Sequence, residues 1–180
     1  MKLAHLLLVF ALSGACLHAF AQKPQAHGLC AADEEPVFSC ELQGKARKTV
    51  SLCAAPAADA QGGWRFRYLF GRLGKVELKY PTNGGSGDAF TFTRQIFPGA
   101  TGGGTYAFSN GGYKYILYSV SGTGVDYAGL QLQRLGSTQA IVNEMHCNQS
   151  SFRETHSDGV WNAIRQWQSD PALDSFRSRS

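Results

Sequence analysis

After residue 35 apolar and polar positions alternate along most of the chain, and the alternation predicts a series of short strands. The clearest is Trp64–Phe70, where Trp64, Phe66, Tyr68 and Phe70 share one face and Arg65 and Arg67 take the other. Pro36–Leu42 and Thr49–Cys53 precede it, joined by a charged turn over 44–48 and followed by an Ala/Gly/Pro loop over 54–63. Val76–Tyr80 alternates again, and Pro81 is expected to stop it because proline cannot donate to a ladder. Asn83–Gly87 reads as a loop, Phe90–Thr93 opens a fifth strand, and 99–104 reads as a second glycine loop. Thr105–Ser109 and Tyr113–Val120 flank Asn110-Gly111, a dipeptide suited to the positive φ angles of a type I′ hairpin turn. Val125–Leu135 and Ala140–Cys147 form the last pair, around Gly136-Ser137. The period then changes. Val160, Trp161, Ile164 and Trp167 fall on one helical face, with Ser157 or Asp158 as N-cap, and residues from Asp170 onward are expected to fray.

About nine consecutive strands with short turns and no crossover helix define an all-β fold paired as an antiparallel meander. Ile116, Tyr118 and Val120 oppose Tyr113, Tyr115 and Leu117, so both faces of that strand are apolar. A small closed barrel with one C-terminal helix is therefore expected, with a two-sheet sandwich second.

The first 21 residues follow a different pattern. Lys2, the apolar run Leu6–Leu12 and the small-x-small end Ala19-Phe20-Ala21 predict a cleaved export signal. Its apolar run is too short to span a bilayer, and no transmembrane segment is expected elsewhere. Leu12-Ser13-Gly14-Ala15-Cys16 offers an alternative, a loose lipobox that would anchor the chain at Cys16. The predicted organisation is a signal over 1–21, a leader over 22–35, one β domain with its helix over 36–168 and a flexible tail over 169–180. The protein is thus expected in the periplasm or secreted, as a monomer.

Export changes the reading of the cysteines, since four mature thiols in an oxidising compartment make two disulfides. Cys40 to Cys53 is the obvious bridge across the first hairpin. Parity opposes it: Phe38, Cys40 and Leu42 share a face, the apolar register sets Cys40 opposite Leu52, and Cys53 then points the other way. Cys147 points inward with Ile141 and Met145. The expected pairs are therefore Cys40–Cys147, joining first and last strands, and Cys30–Cys53, pinning the leader; a bulge in the first hairpin would restore the simple pairing.

Net charge is +4, or +3 without Lys2, and only 17% of residues are charged, against the dense basic stripe of a nucleic-acid binder. No nucleic-acid partner, metal or cofactor is expected. Arg65, Arg67 and Lys79 lie on polar faces of adjacent strands, and Arg94 extends the patch toward an anionic envelope component or an acidic protein. Loops 99–105 and 121–127, including Ser121 and Tyr127, are the candidate recognition loops. No catalytic residue is marked. Gly84-Gly85-Ser86-Gly87-Asp88 misses the nucleophile elbow at its last position, and neither glycine run has the lysine and helix of a phosphate loop. Glu144, His146, His156 and Asp158 offer an acid–base cluster near the helix start, and Asp126 a further carboxylate.

Phe38-Ser39-Cys40, Ser51-Leu52-Cys53, Tyr68-Leu69-Phe70-Gly71 and Val76–Pro81 resemble a group of small secreted proteins of Gram-negative bacteria. In size, export and β content the chain is also similar to periplasmic lysozyme inhibitors, whose recognition loop carries Ser-Gly-x-x-Tyr. Here Ser121-Gly122-Thr123-Gly124-Val125 has valine at the tyrosine position, and Tyr127 stands two places later. The resemblance implies a non-catalytic, inhibitor-like binding protein; an envelope-directed hydrolase using Asp126, Glu144 and His146 is the alternative.

Overall fold

The computed structural model describes residues 28–58, 63–85, 89–136 and 140–174. The expected export signal, the Cys16 alternative and positions 175–180 of the expected tail lie outside them. The alternating segments form ten antiparallel strands: β1 (Glu35–Glu41), β2 (Thr49–Pro56), β3 (Trp64–Arg72), β4 (Lys75–Gly85), β5 (Thr91–Phe97), β6 (Thr101–Asn110), β7 (Tyr113–Gly122), β8 (Val125–Arg134), β9 (Ile141–His146) and β10 (Arg153–Glu154). Two helices follow, α1 (Asp158–Ile164) and α2 (Pro171–Asp174).

The strands make two sheets, ordered β10-β1-β2-β3-β4 and β5-β6-β7-β8-β9. Neither sheet closes, so the expected barrel is not formed. The sheets share one core instead. Phe38, Leu52, Phe66 and Tyr68 of the first sheet meet Tyr106, Phe108, Leu117 and Leu130 of the second. The apolarity of both strand faces has another cause than closure: chain segments outside the sheets cover parts of the outer faces. Leu29 lies with Leu69 over the Cys30–Cys53 bridge, and Leu173 of α2 packs with Ala107 and Ile116. Asp170–Asp174, expected to fray, is thereby held. Lys114 Nζ donates to Asp170 Oδ2 at 2.7 Å and Gln95 Nε2 to the Leu173 carbonyl at 3.2 Å.

The disulfides are Cys30–Cys53 and Cys40–Cys147, with sequence separations of 23 and 107. Parity holds although the register differs from the one expected. Cys40 stands opposite Val50 and Phe38 opposite Leu52, two residues from the expected register, and a bulge between Pro36 and Phe38 offsets only the pairs beyond it. Cys147 pairs with Leu42 in an isolated bridge, and Asn148 N–H donates to the Glu41 carbonyl at 2.7 Å, so the two sheets are stitched at one corner.

Two local expectations are corrected. Pro81 lies within β4, an edge strand, where one side has no ladder to feed. Gly102–Gly104 is not a loop; it pairs with β5 on one side and β7 on the other. The β6–β7 turn uses Gly111 and Gly112, both at positive φ (57° and 81°), with Asn110 already paired to Tyr113. Ser157 caps α1, accepting from the Val160 N–H, as the helical pattern predicts.

The cleft between the sheets

Inner-face positions of the second sheet become small toward one end. Across the strands run Arg94, Gly104, Ser119 and Ala128, and beside them Ile96, Gly102, Ser121 and Asp126. With little side-chain volume there, a cleft of about 730 Å³ opens between this sheet, Glu154 of β10 and the α1 end of the chain. Glycine leaves needed space at Gly104 on this face and at its neighbour Gly103 on the opposite face. A Cβ on Gly104 would come within 2.6 Å of the Phe92 ring, which lies across it, and one on Gly103 within 2.0 Å of the Ser119 carbonyl. Trp161 of α1 and Phe92 line the cleft with their rings 5.7 Å apart, edge to face, and Trp161 is fixed by donating its indole N–H to the Thr155 carbonyl at 3.1 Å. Arg94 and Arg165 also line it, both exposed.

One carboxylate stands among the described lining residues, Glu154 of β10. Its Oε1 accepts from Tyr106 Oη at 3.2 Å and from Ser119 Oγ at 3.1 Å. Burial pushes its carboxyl above the ordinary range; the bonds from Ser119 and Tyr106 and the neighbouring His156 pull it part of the way back. Burial, and then the Glu154 charge, push the Tyr106 phenol well above its usual value, so it stays protonated as a donor. A raised native pKa binds the proton more tightly in the folded state, so stability is greatest at low pH and is lost as pH rises through the native pKa. Glu154→Gln keeps an acceptor for both donors and should be more stable than the parent at neutral pH in urea unfolding. The gap should shrink as pH falls through the raised native pKa and level off below the ordinary value of 4.5. A gap independent of pH would show that Glu154 is not ionising in a buried site.

The residues expected from sequence divide differently. Arg65, Arg67 and Lys79 gather around a separate hollow of about 160 Å³ on the outer face of the first sheet, where Arg67 pairs with Glu34 at 2.6 Å. Arg94 does not extend that patch; it belongs to the second sheet and the cleft. Ser121 lies on the inner face, whereas Tyr127 packs on Tyr118 on the outer one, with ring centroids 6.0 Å apart. Glu144 and His146 stand together on the outer face, both on the Tyr118 hydroxyl at 3.0 Å, while His156 neighbours Glu154 and Asp158 opens α1. Asp126 lies on the inner face, away from Glu144 and His146 by strand parity. The one described group of side chains close enough for a metal is Cys30, Glu34 and Cys53, and both of its thiols are in the disulfide.

Glu154, Trp161 and Arg165 carry no sequence signal of a site. Glu154 lies on a two-residue strand, and Trp161 reads as core from its helical period.

No known protein family, curated protein or solved structure matches the chain. Two disulfides are formed, and among the described residues no helix is long and apolar enough to cross a membrane.

Proposed function

We propose that this protein is a non-catalytic binding module of the periplasm or extracellular space that takes an anionic group of an envelope component or protein partner into the cleft between its sheets. The observation that carries the reading is the cleft itself, with Arg94 and Arg165 lining the same space as Trp161 and Phe92. Guanidinium groups recognise carboxylate and phosphate bidentately, and aromatic walls supply contact area that is indifferent to charge. Two disulfides suit an oxidising compartment. The resemblance to secreted inhibitors agrees with a binding role. The hydrolase reading has one support, the raised carboxyl of Glu154, which a general acid requires. Paired-carboxylate chemistry needs a second carboxylate, and Glu154 is the one carboxylate among the described residues that line the cleft.

Calorimetric titration with soluble acidic fragments of bacterial envelope tests this. Arg94→Ala/Arg165→Ala should weaken binding by about tenfold or more, the scale of charged hydrogen bonds. Arg65→Ala/Lys79→Ala should leave it unchanged. The reverse result would move the site to the outer face of the first sheet, and fragments shortened during incubation would favour the hydrolase.

A further inference from the structure

We propose that the turn end of the first sheet docks on the surface of an anionic phospholipid bilayer, its lysines and arginines on the headgroup phosphates and Leu73 at the acyl boundary. This surface shares no residue with the cleft and goes beyond the binding reading above. In an antiparallel meander the β1–β2 and β3–β4 turns fall at the same end of the sheet. Arg72 Nε donates to the Ala46 carbonyl at 3.1 Å, and Lys48 pairs with Glu77, so the two turns are joined. Residues 44–48 and 72–77 hold five cations, Lys45, Arg47, Lys48, Arg72 and Lys75, against one carboxylate, Glu77. They account for the chain's whole net charge of +4, and the remaining residues together are neutral. The Lys48 hydrogen bond, with the charges of Lys48, Arg72 and Lys75, holds the Glu77 carboxyl below its usual range, so one field spans both turns. Among the described residues Lys45, Arg47, Arg72 and Lys75 form no ion pair.

Apolar side chains stand among these charges. Arg72 pairs with Lys75, which leaves Leu73-Gly74 as the tip of the hairpin, with Gly74 at a φ of 77°. Leu73 is 74% exposed there, and Val76, just past Lys75, is 48% exposed. A soluble polyanion would engage the cations and leave Leu73 in water. A bilayer offers phosphates to the cations and, just beneath them, an apolar layer to the leucine. Both features of this end are met only in the second case. Docking here also leaves the cleft clear. Its α1 wall lies against Trp64, where a Cβ on Gly159 would come within 3.4 Å of the indole. Trp64 opens β3 and Arg72 closes it, nine residues and about 26 Å of strand.

Co-sedimentation of the disulfide-bonded protein with vesicles tests this, using phosphatidylcholine alone and an equal mixture with phosphatidylglycerol. The protein should bind the mixture and not phosphatidylcholine, and added salt should weaken the binding. Lys45→Gln/Lys75→Gln should weaken it about 25-fold, at about fivefold for each cation near the surface. Leu73→Ala should weaken it about tenfold, the worth of one to two methylenes moved out of water. Leu73→Trp should bind as tightly as the parent, because indole sits well at headgroup level. Arg94→Ala/Arg165→Ala removes the same charge from the cleft and should leave vesicle binding unchanged. Lys45→Gln/Lys75→Gln should likewise leave the cleft's binding of acidic fragments unchanged, so the two readings fail separately. No binding to the mixed vesicles, or equal binding to both kinds, overturns the inference. Equal losses for the two double variants also overturn it, since net charge and not this end would then be at work. Loss in the lysine variant with none in Leu73→Ala would give the surface to an acidic macromolecule instead of a lipid.

Discussion

Cys40→Ala/Cys147→Ala should cost about 4–5 kcal/mol of stability, against about 3 kcal/mol for Cys30→Ala/Cys53→Ala, because the chain-entropy gain grows with the closed loop. Those loops correspond to separations of 107 and 23 residues. The greater loss should also be the more widely felt. Cys40–Cys147 lies where Leu42 bridges Cys147 and where Gln43 N–H reaches the His146 carbonyl at 2.8 Å, the corner that ties the first sheet to the second. Cys30–Cys53 fastens a covering segment to one outer face. Urea unfolding gives the magnitudes, and amide exchange gives their extent. Equal losses for the two bridges, or protection lost in the first hairpin alone, would refute the stitched-corner account.

Phe108→Ala should cost about 3–5 kcal/mol, the range for deleting a buried ring. Phe108 is 5% exposed and touches four aromatic rings. Tyr80 stacks on it at 4.3 Å and Tyr115 at 4.8 Å, while Tyr68 and Phe90 meet it at 4.7 and 5.6 Å. Tyr68 and Tyr80 come from the first sheet and Tyr115 from the second, so the ring fills space that both sheets share. Leu73→Ala is the control: Leu73 is 74% exposed in the β3–β4 turn, and its loss should stay within about 0.5 kcal/mol. A Phe108→Ala cost near that of Leu73→Ala would mean that the cavity collapses or that the sheets do not depend on this contact.

Where a strand signal is local, the sequence is readable. Trp64, Phe66 and Tyr68 face the core as their alternation predicts, and Ser157 caps the helix whose period Val160 and Ile164 set. Parity also places Cys53 and Cys40 on opposite faces, because a register that differs by two residues, Val50 in place of Leu52, preserves the side to which Cys40 points. What failed depended on distant residues. Gly102–Gly104 has loop composition, yet Phe92 and the Ser119 backbone need the space those glycines leave within a strand. Pro81 ends a strand only if a neighbour requires its N–H, and β4 is an edge. Leu173 is one apolar residue in a polar stretch, so nothing local announces that Ala107 and Ile116 receive it. Arg94 was read beside Arg65 and Arg67 because sheet membership is not written in alternation. Glu154 has no motif; its chemistry comes from Tyr106 and Ser119, 48 and 35 positions earlier.

The order of the bridged thiols has a consequence for how the chain matures. Along the sequence they run 30, 40, 53, 147, and the native bonds interleave, 30 with 53 and 40 with 147. An oxidant acting on thiols in the order of their synthesis would join Cys30 to Cys40 first, leaving Cys53 without its partner. Reaching the native pattern from there requires thiolate attack on a bond already made, through a mixed disulfide. The yield of this protein should therefore depend on a disulfide isomerase and not on an oxidant alone.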